Sequence, residues 1–365
     1  MIRVRSRKGA IAAIVVAASS AVVVGATVSA ASTAGSTLAS AGCKVTGPLN
    51  AILWEGYAAQ PMQAAFEKKY GIKINVTYIG SNDEVFAKIR SRSGQYDLVP
   101  ATTDISHQYI DQRLVQPIDL GQIPNASRVF PQFKNLPQAT KNGATYGVAH
   151  TWSADPILYN PKVVKNPTAS YSILWDKRYA GKVALYDDIG SLWVGAMVKH
   201  YPPFTMSSAQ LADDVKFMQQ QKSLDRKYWS TGDDLVKLFA SGEVVLATGW
   251  NYMYTQLRSQ HVPIARLVPK EGNLGWVDTL MIPANAKHAC AAEKWIDWAI
   301  SGGGGAYTAN ASGYSISNPA INAHLTKQQV SDLHMSDPAF MRKIVLWRPV
   351  DRPKYQDAWN KVKNG

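Results

Sequence analysis

Eleven tryptophans and 17 tyrosines stand in a chain of 365 residues, and the tryptophans divide by context. Trp175, Trp295, Trp298 and Trp359 read as core packing. Trp54, Trp250 and Trp276 instead adjoin polar or glycine-rich turn sequence at predicted strand ends, where an aromatic face can meet a guest. Asp278 follows Trp276 by two residues. No catalytic constellation accompanies these groups. The chain lacks a Gly-x-Ser-x-Gly elbow, a His-Glu-x-x-His helix and a phosphate-cradling loop ending in Lys-Ser/Thr. Its seven histidines are dispersed, with no i, i+4 pair for a metal, and its two cysteines lack zinc spacing. No metal and no cofactor are implied. His150, beside Trp152, is the histidine closest to this aromatic sequence, and a lone histidine is more often structural than ligating. The Gly302–Gly305 run follows a predicted helix, lacks a following lysine and reads as a loop.

The elements that must position these residues alternate in type. Ala51–Trp54 is a short apolar run. Pro61–Tyr70 sets Met62, Ala65 and Phe66 on one helical face, with Gly71 at the C-terminus. Ile72–Tyr78 alternates as a strand does, Ser81-Asn82-Asp83-Glu84 has capping-box spacing before a helix, and Tyr96–Val99 is a further strand. Gly181–Tyr186 and Glu243–Thr248 read as strands, and Ser207–Gln221, Asp233–Ala240 and Pro283–Ser301 as helices. Strand and helix in alternation predict α/β lobes with largely parallel sheets, which bind ligands beyond the C-terminal strand ends. Trp54, Trp250 and Asp278 lie at or near such ends.

With 46% hydrophobic and 18% charged residues, the chain has material for a sizeable core and for two domains. Arg3, Arg5, Arg7 and Lys8 followed by Ala- and Val-rich sequence form a secretory signal over residues 1–30, and residues 31–48 read as a flexible leader. Four basic residues leave with that signal, lowering the net charge from +13 to +9. The remaining basic residues are scattered and form no nucleic-acid-binding motif. Val28-Ser29-Ala30 suits ordinary signal cleavage. Ser40-Ala41-Gly42-Cys43 resembles a lipoprotein box, with Ser40 where leucine is usual. In an exported protein, two cysteines favour one disulfide. Cys43 is therefore expected either to pair with Cys290 or to carry a lipid, and one sulfur cannot do both.

From about Leu53 to Trp359 the chain resembles the periplasmic spermidine/putrescine-binding proteins of ABC importers. The resemblance rests on Trp54-Glu55-Gly56-Tyr57, Phe66-Glu67-Lys68-Lys69-Tyr70-Gly71, Ser81-Asn82-Asp83-Glu84, Tyr96-Asp97-Leu98-Val99, Ile123-Pro124-Asn125 and Leu185-Tyr186-Asp187-Asp188. It continues through Pro269-Lys270-Glu271-Gly272, Trp276-Val277-Asp278, Ile282-Pro283-Ala284-Asn285-Ala286 and Gly313-Tyr314. It implies a two-lobed periplasmic-binding-protein fold, type II-like, with crossover hinge strands. The first lobe would comprise residues 49–149 plus about 279–318, and the second 150–278 plus about 319–365. It also implies a monomer that captures a small amine, works with a membrane permease and its ATPase, and catalyses no reaction.

A protonated amine is strongly hydrated, so a dry pocket must replace its water with carboxylates and π-faces. The resemblance carries the amine-binding acid onto Asp278, a second acid onto Asp188, and aromatic walls onto Trp54, Tyr57, Trp250, Trp276 and Tyr314. The chain departs from the family at Ala101 and Thr103, where Ser and Tyr are frequent. It departs again at Ser191, where a Glu commonly follows the aspartate by three residues, and at Arg348 after Trp347, where a polar uncharged residue is usual. Arg348 would pair with Asp188 or bind a ligand carboxylate. The departures favour a short diamine or an ω-amino acid over a long polycation. The alternatives are an exported enzyme acting on a cationic substrate and a surface sensor without a transporter.

Overall fold

A computed structural model describes residues 42–91 and 93–365. The expected signal over 1–30 and most of the leader lie outside the described residues. Strand Leu49–Trp54 pairs in parallel with Ile74–Ile79, from Leu49 opposite Ile74 to Trp54 opposite Ile79. Between them runs helix Gln60–Tyr70, with proline in its first turn and Gly71 at φ 69° closing it. That left-handed conformation suits glycine. The next helix, Asn82–Arg90, starts at Ser81, whose Oγ accepts from Glu84 N. The Glu84 side chain accepts from Gly80 N, one residue earlier than a reciprocal capping box would have it.

Two long strands organise the rest. Gly147–Ala154 and Asn273–Pro283 pair antiparallel, and every residue of both is buried. The other edge of Asn273–Pro283 is tiled by three short strands: Ile344–Leu346, Val99–Thr102 and Val115–Gln116. Leu98 bridges Ala51 and so joins the first strand pair to this sheet. The strand expected over 96–99 thus lies further along. Asp97 before it is held by the backbone N–H groups of Asn50, Lys287 and His288. Those contacts also explain why the helix expected from Pro283 begins only at Ala289.

The second sheet runs in the order Asp225–Trp229, Val183–Tyr186, Leu246–Thr248, Ile157–Tyr159, Ala265–Leu267. The first three strands are parallel and the last two antiparallel to their neighbours. Strand Gly147–Ala154 of the first sheet passes into Ile157–Tyr159 of the second through only Asp155 and Pro156, and Asn273–Pro283 enters the first sheet soon after Ala265–Leu267 leaves the second. These are the crossover strands of a two-lobed periplasmic-binding-protein fold.

The Gly302–Gly305 run is not a loop. It opens helix Gly302–Ser312, whose first turn is capped by Ser301 Oγ accepting from Gly304 N. The glycines serve packing: a Cβ on Gly304 would lie 1.9 Å from the Trp298 carbonyl oxygen, and one on Gly305 2.8 Å from Ile321. Cys43 and Cys290 form a disulfide, tying the segment before the first strand to helix Ala289–Ala299.

Candidate functional site

Strand Leu49–Trp54 ends in a tight turn in which Tyr57 N donates to Trp54 O. Gly56 has φ 87°, and a Cβ there would come within 3.0 Å of Ser312 and 3.2 Å of Tyr252. Glycine lets this turn seat deeply and brings Trp54, Glu55 and Tyr57 to one cavity. From Asn273–Pro283 come Trp276 and Asp278, which share a face because side chains two apart on a strand do. Tyr314 packs edge-on against Trp276, ring centres 4.8 Å apart. Trp250, at the start of helix Asn251–Ser259, meets Trp54, Tyr186 and Trp229 edge-on at 5.9, 5.0 and 4.9 Å. Trp347 completes this aromatic wall.

Asp278 is buried, and Tyr57 Oη donates to its Oδ2 at 2.6 Å. The same hydroxyl also bonds Thr151 Oγ1. The other carboxylate oxygen, Oδ1, is buried without a hydrogen-bond partner, and so is Trp54 Nε1. That indole lies near enough to favour the carboxylate's charge but closes no hydrogen bond of good geometry. Burial pushes the Asp278 carboxyl up to about 8. An orphaned buried acceptor is costly, and a cationic donor is the guest that removes that cost.

Asp188 also lines the cavity but is already engaged. Its Oδ1 accepts from Gly190 N at 2.8 Å. Burial raises its carboxyl to about 6, against the opposing effect of the Arg352 guanidinium. Arg352 itself pairs with Asp104 at 2.7 Å and Asp83 at 2.8 Å, its side chain only 10% exposed. Glu55 is the third acid of the lining. Burial, and then nearby Asp233, raise it to about 7, while its Oε2 accepts from Asp233 N at 3.2 Å.

Seven of the eight residues expected at the site are therefore brought together: Trp54, Tyr57, Asp188, Trp250, Trp276, Asp278 and Tyr314. Arg348 is not. It is exposed and outside the lining, and the arginine acting on Asp188 is Arg352, four residues further on. His150 is buried behind Tyr57, ring centres 4.8 Å apart, with both ring nitrogens unpartnered. Burial lowers it to about 3, so it stays neutral. Sequence reasoning missed Glu55, Asn82, Thr102, Tyr186, Tyr252 and Trp347. Glu55, Asn82 and Tyr186 lie inside the motifs quoted above, so the signal was present and unassigned. Tyr252 and Thr102 carried none. The cavity amounts to about 30 Å³, room for roughly two waters, so a larger guest requires its walls to part.

The model of the bacterial extracellular solute-binding proteins matches residues 62–341. The chain belongs to that family. This solute-binding protein is 27% identical over 318 residues to the spermidine/putrescine-binding periplasmic protein of Escherichia coli K12, covering 86% of this chain and 90% of that one. Among solved structures it is similar to the spermidine/putrescine ABC transporter substrate-binding protein PotD of Streptococcus pneumoniae (TM-score 0.72, 19% identity, 87% of this chain and 99% of that one). It is likewise similar to MotA of A. tumefaciens B6, solved with glucopine (TM-score 0.73, 17% identity, 87% and 100% covered). Among the described residues no helix is long and apolar enough to cross a membrane.

Proposed function

We propose that this solute-binding protein captures a protonated diamine or polyamine between its two lobes and hands it, unaltered, to a membrane permease driven by an ATPase. The observation that carries the reading is the buried, unpartnered Asp278 Oδ1 in a cavity walled by indoles. An ammonium leaving water needs an acceptor and π-faces, and this wall supplies both. The lining contains three acids and no Lys, Arg or His. The names of the relatives point the same way. An amino-acid ligand has less support, because Arg348, the guanidinium it would need, is exposed outside the cavity.

The lobes divide at the crossover strands, with residues 49–149 and about 279–318 in the first, 150–278 and about 319–365 in the second. Guest contacts from both would favour the closed form. The oxidised Cys43–Cys290 pair suits an exported protein without a lipid on Cys43. A diamine the size of 1,4-diaminobutane, at about 1.5 kcal/mol per heavy atom, binds with at most about 9 kcal/mol, a Kd near micromolar or just below. Calorimetry against diamines, polyamines, ω-amino acids and sugars tests the reading, with mass analysis of the recovered ligand. Amines are expected to bind at micromolar level and to be recovered intact. A sugar or amino acid binding more tightly than every amine overturns the cargo, and chemical turnover overturns the binding role.

A further inference from the structure

A second chamber adjoins the first and shares Tyr186, Trp250 and Trp347 with it. Its lining adds Asp155 and Ser191 and, like the first, contains no Lys, Arg or His. Asp155 is one of the two residues linking Gly147–Ala154 to Ile157–Tyr159, at the point where the chain crosses between sheets. Its Oδ1 accepts from Trp276 Nε1 at 3.0 Å, so an indole of the first cavity is anchored on the acid of the second. The indole N–H of Trp347 also favours its charge, without closing a hydrogen bond of good geometry.

Three acids could meet the far end of a diamine held at Asp278. Glu55 accepts from the backbone of helix Gly232–Ala240. Asp188 accepts from Gly190 N and lies in the field of Arg352. Asp155 accepts from Trp276 Nε1 but has no cation acting on it: the charged neighbour is another acid, Asp278, and burial pushes its carboxyl well up. Ser191, also in this lining, is spent on the backbone: its hydroxyl donates to Tyr186 O at 2.6 Å. Asp155 is the acid of this chamber's lining.

We propose that Asp155 is the second cation-binding carboxylate, receiving the distal ammonium of an α,ω-diamine whose other ammonium rests on Asp278. This rests on the amine reading above. The shared aromatic residues flank the methylene chain between the two acids, and Asp155, at the crossover, couples the guest's far end to the hinge.

Calorimetry of the full mature protein with 1,4-diaminobutane and with n-butylamine, for the wild type and for Asp155→Asn, Asp188→Asn and Asp278→Asn, tests it. The wild type is expected to prefer the diamine at least tenfold. Asp155→Asn is expected to remove that preference by weakening the diamine far more than n-butylamine, Asp188→Asn to keep the ratio between the two, and Asp278→Asn to weaken both amines. Loss of the preference in Asp188→Asn but not in Asp155→Asn overturns the assignment and leaves the amine reading standing. Binding of neither amine to the wild type overturns the amine reading itself. Should Asp155→Asn fail to fold, Asp155→Ser, a smaller uncharged replacement, is measured with the same two amines and is expected to lose the preference for the diamine. A preference kept in that variant overturns the proposal.

Discussion

Asp278 and Asp188 line the same cavity and differ in what already holds them. Asp278 has one oxygen on a tyrosine hydroxyl and the other without a hydrogen bond of good geometry, with the Trp54 indole nearby. Asp188 has a backbone donor and belongs to a cluster with Arg352, Asp83 and Asp104. Asp278 is buried and Asp188 half-buried, both in a cavity with aromatic walls, and of the two only Asp278 has a buried carboxylate oxygen without a hydrogen-bond partner. Proximity to a cavity makes an acid a candidate, while an unused lone pair and an uncompensated charge make it a receptor. The arginine cluster does a different job. Asp83 and Asp104 come from the N-terminal part of the chain and Arg352 from the C-terminal helix Arg352–Asn364, so the cluster joins segments far apart in sequence.

The largest effect is expected from breaking that cluster. Arg352→Gln leaves buried Asp104 without its cation, and removing one partner of a buried pair costs about 3 kcal/mol. The denaturant midpoint is expected to fall accordingly, with partial recovery in Arg352→Lys. A change under about 1 kcal/mol, the range of an exposed pair, would erase the contrast between the two acids.

Asp278→Asn acts on the other side of the comparison. It is expected to weaken diamine binding at least tenfold, about 1.4 kcal/mol, while stabilising the empty protein at high pH. The sign follows from the raised carboxyl. The unfolded chain ionises near 3.8 and the folded one near 8, so between those values the folded state keeps a proton that the unfolded state gives up. Stability therefore falls as pH rises through that window. Thermal unfolding from pH 4 to pH 8, without amine, is expected to show a smaller decline in the variant. An unchanged slope would mean that Asp278 is ionised and already satisfied.

Much of this site was legible because strand periodicity is local. Trp54 at the end of an apolar run is read from the sequence pattern, whereas Asp278 as an amine-binding acid beside Trp276 is implied only by the resemblance. What escaped depends on tertiary contacts. A run of glycines reads as a loop because each costs about 1 kcal/mol in a helix, but at Gly304 the Trp298 carbonyl leaves no room for a side chain, and packing overrides propensity. Asp155 drew no reading from the sequence, and it meets the Trp276 indole where the chain changes sheets. Glu55 was visible inside a motif, yet its carboxyl is raised first by burial and then by Asp233, 178 residues away in sequence.

Arg348 provides the smallest and most discriminating test. The sequence places a guanidinium directly after Trp347, and Trp347 does reach the cavity, but neighbours in an irregular segment need not face the same way, and Arg348 is exposed. The cationic influence on Asp188 comes from Arg352, four residues on. Arg348→Gln is accordingly expected to change stability by less than about 0.5 kcal/mol and to leave both diamine and ω-amino-acid affinity within about twofold. A tenfold loss confined to the ω-amino acid would show that the segment after Trp347 turns its arginine inward when ligand binds. Asp188 would then face two guanidinium groups rather than one, deepening its difference from Asp278, and a carboxylate-bearing guest would become the better match for that end of the cavity.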